Sequence, residues 1–179
     1  MKNAFFSILL LCIANLISAQ VTFESTLEEV FEKAKNQNKL VFIEYYRPDC
    51  PVCLQLEDLF KNDSELAAFY NSNFVNYAVN TQNQTNKTDL DFIHSFKLNL
   101  NKVPALLYFD ANKNFLHFGK VNLNSIALIN EAKKALLPNE RSTNLVNKYE
   151  NGDRTVKTLY AYCNQLILTN EYEKLIKVS

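Results

Sequence analysis

An α/β sandwich with a mixed sheet is the fold class that this 179-residue chain predicts, on three observations. An apolar run, Leu40-Val41-Phe42-Ile43, leads through Glu44-Tyr45-Tyr46-Arg47-Pro48-Asp49 into Cys50-Pro51-Val52-Cys53, which reads as a buried strand ending at a helix start. Helical and strand patterns then alternate as helix, strand, helix, strand, helix, strand, strand, helix, the order of a layered α/β domain. Finally, 47% of the residues are apolar and 19 basic side chains balance 19 acidic ones, enough for one core plus an appendage. That balance, with no long Lys/Arg run, leaves no electrostatic footprint for nucleic acid or an acidic membrane surface.

Met1-Lys2-Asn3, the apolar stretch from Ala4 to Ile17 and the small residues Ser18-Ala19 before Gln20 have the layout of a secretory signal peptide cut after Ala19. The apolar run falls short of the roughly 18 to 20 residues that span a bilayer. Cys12 reads as filler in this segment. Cleavage would leave 18 basic against 19 acidic side chains, a formal charge of −1, and the cysteines Cys50, Cys53 and Cys163.

Ser25-Thr26-Leu27-Glu28 has the form of a capping box, followed by Leu27, Val30, Phe31 and Ala34 at helical spacing. After the dithiol, Leu54, Leu56, Leu59 and Phe60 continue a helix to Asn62, and Asp63 or Ser64 caps a further turn or two through Tyr70. Phe74 to Val79 is a second core strand, and a short helix lies around Asp89 to Phe96 beyond a polar stretch. Val103 to Phe109 is a buried strand opened by Pro104, a position at which the missing N–H is tolerated. Phe115-Leu116-His117-Phe118 returns as its hairpin partner after the turn at Asp110 to Asn114. Asn124 caps a closing helix that Pro138 ends.

Residues 139–179 read as a separate helical segment. Ser142 is expected to cap one helix and Asp153 a second, with Val156, Leu159, Tyr160, Cys163, Leu166 and Ile167 on one apolar face. Asn170 to Val178 begins a third helix, so the segment offers an apolar face for the core, a second copy or a partner. Cys163 on that face reads as a buried free thiol.

Two cysteines three apart in the first turn of a helix are close enough to bridge. The first sits at the exposed end, where unpaired N–H groups and the helix dipole favour a thiolate, and so it is the expected nucleophile. Pro51 suits the first helical position.

The strand, the CxxC and the later Val103-Pro104 strand together make residues Val21 to Leu137 resemble the thioredoxin family. The resemblance implies a thioredoxin fold, a mixed central sheet flanked by helices with a small C-terminal helical extension. It divides the chain into a signal peptide (1–19), a thioredoxin-like domain (20–138) and an α-helical extension (139–179). It further implies that Cys50 attacks a substrate disulfide, that Cys53 resolves the mixed disulfide, and that Pro104 is a cis-proline facing the dithiol. Glu44 falls on the family's buried acid, where Asp is commoner, and Val103, Pro51 and Val52 fall on its substrate-contacting positions. No cofactor or metal is implied.

Departures from the family pattern are Asp49 before the first cysteine, Pro51-Val52 between the pair, and Leu54 after the second. A carboxylate beside Cys50 opposes its thiolate, and the histidine of strongly oxidising members is missing, so a reducing or intermediate potential is expected. The implied activity is that of an envelope thiol-disulfide oxidoreductase acting on protein disulfides, in the periplasm or secreted, with electrons from a membrane dithiol carrier. Self-association would run through the C-terminal helices. The alternatives are a thioredoxin-fold binding module with a structural disulfide and, further off, a copper carrier using His94 and His117 with the cysteines. Asn62-Asp63-Ser64, Asn83-Gln84-Thr85 and Asn86-Lys87-Thr88 match glycosylation triplets, which recur by chance in an Asn-rich chain.

Overall fold

A computed structural model describes residues 20–83, 87–98 and 100–178. The expected signal peptide, Cys12 and part of the last two glycosylation triplets lie outside the described residues. Helix α1 (Leu27–Gln37) precedes strand β1 (Leu40–Tyr46), which is followed by α2 (Pro51–Asn62), α3 (Ser64–Asn73) and β2 (Phe74–Asn80). After α4 (Lys87–Ser95) come the hairpin β3 (Ala105–Phe109) and β4 (Phe115–Gly119), then α5 (Ser125–Leu136). A 3-10 turn at Pro138–Glu140 leads to α6 (Ser142–Glu150), α7 (Val156–Leu168) and α8 (Tyr172–Val178).

The sheet order is β2-β1-β3-β4, with β1 parallel to β2 and antiparallel to β3, which in turn pairs antiparallel with β4. Alternation along β1 decides what each face carries. Val41, Ile43 and Tyr45 point into a core shared with α1 and α4, whereas Phe42 packs with Leu56, Phe60, Tyr70, Leu106 and Tyr108 beneath α2, α3 and α5. Glu44 follows Phe42 on that second face. The second core is dense in rings, Phe42 lying 4.9 Å from Tyr70 and 5.3 Å from Tyr108, with the two tyrosine hydroxyls bonded at 3.1 Å. Both hydroxyls are thereby satisfied where water cannot reach. Gly119 is required by close approach: a Cβ there would lie 2.9 Å from the Tyr108 ring.

Caps explain most element boundaries, and several fall one or two residues from where the pattern put them. Thr26, not Ser25, caps α1, accepting the Glu29 N–H at 3.2 Å. Asp63 ends α2 and caps α3, accepting the Leu66 N–H at 2.9 Å. Thr155, not Asp153, caps α7. Ser142 does not cap α6 at all, because its hydroxyl accepts the N–H of Phe118 at 3.0 Å. Thr143 beside it donates to the Leu116 carbonyl at 2.7 Å. These two hydroxyls take up outward-facing backbone groups of β4, an edge strand, and cover what would otherwise be an open pairing surface.

The face expected on α7 is rotated. Thr158, Ala161 and Leu166 are the buried residues, while Val156 and Tyr160 are exposed at 84% and 62%. Cys163 is only half-buried. Stacking of Tyr149 on Tyr162, with ring centroids 4.3 Å apart, supplies part of the α6–α7 contact instead.

At the opposite edge of the sheet, residues 20–24 are fixed by hydrogen bonds. Val21 donates to the Phe60 carbonyl at 2.8 Å, Thr22 to Asn71 Oδ1 at 2.9 Å and Glu24 to the Asn76 carbonyl at 2.9 Å. Asn71 Nδ2 donates to the Gln20 carbonyl at 2.9 Å, and Asn76 Nδ2 to that of Thr22 at 3.1 Å.

Candidate functional site

Strand β1 runs out at Tyr46, and the chain turns through Arg47 to Asp49 so that Cys50 becomes the N-cap of α2. An extended backbone at Cys50 (φ −90°, ψ 117°) aims its Sγ at the helix start, where it accepts the Cys53 N–H at 3.3 Å. Pro51 occupies the first turn and sacrifices no hydrogen bond. The thiols of Cys50 and Cys53 are unbridged. Cys50 is not at an exposed end: it is 7% exposed and Cys53 2%. What covers Cys50 is the loop before β3, whose Val103 carbonyl accepts from Cys50 Sγ at 3.6 Å. The Val103–Pro104 peptide bond is cis, Pro104 is buried and Val103 half-buried. Pro51, Val52 and Leu54 face outward beside the thiols, Leu54 half exposed at 51%.

Glu44, 5% exposed, lies in the middle of the sheet between Ala78 of β2 and Leu106 of β3, neighbours that bring apolar side chains. Burial, reinforced by the Glu57 carboxylate, pushes its carboxyl up to about 8. Burial likewise pushes the Cys53 thiol up to about 12, with the Cys50 hydrogen bond and the nearby Glu44 adding to it. The Tyr46 phenol is raised by burial and then by Glu44, Glu57 and Cys53, so these four groups form one electrostatic unit below the dithiol. Glu57 and Tyr46 were not singled out by sequence reasoning. The available signal was spacing, since Glu57 stands four after Cys53 and therefore on the same side of α2. Lys61, a further four on, pairs with Glu57 at 2.5 Å.

Asp49 does stand beside Cys50, but Arg47 Nε holds its carboxylate at 3.0 Å. The guanidinium two residues upstream thus sets a positive charge beside the negative one that the sequence places there. The histidines are occupied elsewhere. His94 is on α4, across the sheet from Glu44, with Nε2 3.2 Å from the Tyr45 hydroxyl. His117 is buried on β4, and its Nδ1 accepts the Ser142 N–H at 3.0 Å while Nε2 meets Glu131 at 3.2 Å. Among the described residues no cluster of three or more metal-capable side chains forms.

A mixed four-stranded sheet with a dithiol at the head of the helix after its central strand, facing the loop before the next strand, defines the thioredoxin class. The chain belongs to the thioredoxin-like family: a family model described as the thioredoxin-like domain matches residues 27–126, leaving α6 to α8 beyond the match. Among solved structures, one described as the DsbH oxidoreductase is similar at a TM-score of 0.57 and 20% identity, over 68% of this chain and 88% of that one. A second, from Bacteroides thetaiotaomicron and put forward as a disulphide-isomerase, gives 0.54 at 18% identity, over 67% and 96%. At these identities the likeness establishes the shared fold. No curated protein matches the chain.

Proposed function

We propose that the protein is a thiol-disulfide oxidoreductase of the cell envelope that exchanges disulfides in protein substrates through Cys50 and Cys53. The observation that carries this reading is the placement of Cys50 Sγ between an inward-pointing N–H and the Val103 carbonyl, with Cys53 and the buried carboxyl of Glu44 below it. The names of the two similar structures support it by analogy of fold.

In the reducing direction, the Cys50 sulfur attacks one sulfur of the substrate disulfide and the other leaves as thiolate. The Cys53 N–H is aimed at the sulfur that carries charge in that step. Cys53 then attacks Cys50 Sγ, releasing the second substrate thiolate and closing the Cys50–Cys53 disulfide, so two electrons pass from protein to substrate. Cys53 must lose a proton for this, and Glu44 is the acceptor below it. With its carboxyl near 8, Glu44 is mostly protonated at pH 7, so the resolving step should speed up as pH rises towards 9. In the opposite direction the protonated acid supplies the proton to departing Cys53. Val103 and Pro104, with Pro51, Val52 and Leu54, form the surface against which an extended substrate segment would lie.

The proposal includes cleavage of residues 1–19, a catalytic unit over 20–138, a helical extension over 139–179 and a membrane dithiol carrier that re-reduces the pair at a reducing or intermediate potential. The test is disulfide reduction by the purified mature protein. Wild type should turn over, Cys50→Ser should not, and Cys53→Ser should accumulate mixed disulfides with envelope proteins. Turnover by Cys50→Ser would remove the assignment of the nucleophile.

A further inference from the structure

Gln20, the residue that follows the predicted cleavage bond, leads into a stretch fastened to the domain. Val21 is 5% exposed in the second core, Phe23 packs edge-on to Phe60 at 5.8 Å, and the hydrogen bonds from Asn71 and Asn76 hold the main chain from Gln20 to Glu24. The first residue of the mature chain is therefore pinned by its carbonyl, at 2.9 Å from Asn71 Nδ2, while the residue itself is exposed. Cutting after Ala19 would turn the Gln20 nitrogen into a free α-amine, and the γ-amide of a glutamine is placed by its own chain length to close a five-membered ring with that amine.

We propose that Gln20 is a modification site, and that the exported protein carries an N-terminal pyroglutamyl residue docked in the Asn71–Asn76 clamp. The inference rests on the export reading above. In the step, the α-amine nitrogen attacks the side-chain Cδ. The new N–Cδ bond forms as the Cδ–Nε2 bond breaks, and ammonia leaves with the proton shed by the amine. No electrons are transferred and no co-reactant is needed. The intramolecular geometry takes the place of a second molecule. Ring closure spares the Gln20 carbonyl that Asn71 holds, so the product fits the same clamp. It also removes the terminal ammonium on which aminopeptidases act, and the next N–H, that of Val21, is already bonded to Phe60. The outcome is an N-terminus that is both blocked and fastened.

The test is intact-mass and N-terminal analysis of the full chain after export by a bacterial host, beside Gln20→Ala. The expected wild-type product starts at residue 20, is lighter than the free-amine form by one ammonia and resists stepwise N-terminal degradation, whereas Gln20→Ala reads through normally. A product that starts at residue 20 and keeps a free amine after prolonged incubation overturns the proposal alone. A product that starts elsewhere or keeps residues 1–19 overturns the export reading and the proposal with it.

Discussion

Two glutamates on the same side of the sheet, Glu44 buried and Glu131 half-buried, have been driven in opposite directions, and the difference is one of partners. Glu131 on α5 has its side chain 12% exposed, yet it is held down to about 2. Burial alone would raise it, but His117 Nε2 at 3.2 Å, Lys134 Nζ at 2.5 Å and the Lys120 N–H at 3.1 Å all donate to it. Glu44 has no such donors among the described residues and has the Glu57 carboxylate nearby, so its carboxyl rises to about 8. A satisfied carboxylate fastens structure, here the approach of α5 and α6 to β4. An unsatisfied one costs stability and remains able to exchange a proton, which is what the proposed resolving step at Cys53 needs.

The contrast breaks most sharply on its structural side. Glu131→Gln should destabilise the protein by about 3 kcal/mol at pH 7, the worth of a displacement from 4.5 to about 2. Because this carboxylate is depressed, its contribution is complete above the unfolded value of 4.5 and disappears as pH falls through about 2. Urea midpoints between pH 2 and 5 should therefore slope steeply in wild type and less in the variant. If the slope is unchanged, the three donors do not hold the group as described.

Glu44→Gln should act with the opposite sign. A raised carboxyl leaves the fold unpenalised below 4.5 and withdraws stability as pH rises towards 8, on the order of 3 kcal/mol by pH 7. The variant should therefore gain stability at neutral and alkaline pH and lose the downward slope there. It should also resolve mixed disulfides more slowly, by about a hundredfold, the low end of what a positioned base supplies. Stabilisation with unimpaired resolution would remove Glu44 from the mechanism.

His117→Leu keeps apolar bulk but leaves the Ser142 N–H without an acceptor and takes one donor from Glu131. A loss of about 2 kcal/mol is expected, with faster amide exchange at Ser142 and Phe118 and little change at Cys53. The smallest effect belongs to Glu57→Gln. Removing that charge should move the Glu44 inflection in the pH profile of Cys53 alkylation downwards, and an unmoved inflection would mean that burial alone raises Glu44.

Much of the site could be read along the chain because its parts are local. A CxxC at a helix start, a strand before it and a proline opening a later strand each have a short-range physical cause, and the order of elements joins them. The acid at Glu44 came from the family resemblance, since a glutamate in an apolar strand does not by its pattern alone say that it is buried. Harder to see was anything set by two distant segments. The pairing of Arg47 with Asp49 needs the turn geometry, and the covering of Cys50 by Val103 needs β3 beside β1. The same reason displaced the C-terminal expectations. Periodicity gives a helix an apolar stripe but does not say which stripe meets a neighbour. Ser142 has the chemistry of a cap, and only the exposed edge of β4 drew its hydroxyl away.

The sequence by itself determined the helices, the strands and the dithiol, because hydrophobic period, caps and residue chemistry act over a few residues. Tertiary structure decided how deeply Cys50 is covered and which of two similar glutamates is paired. Burial and hydrogen-bond supply depend on what the rest of the chain brings to the same place.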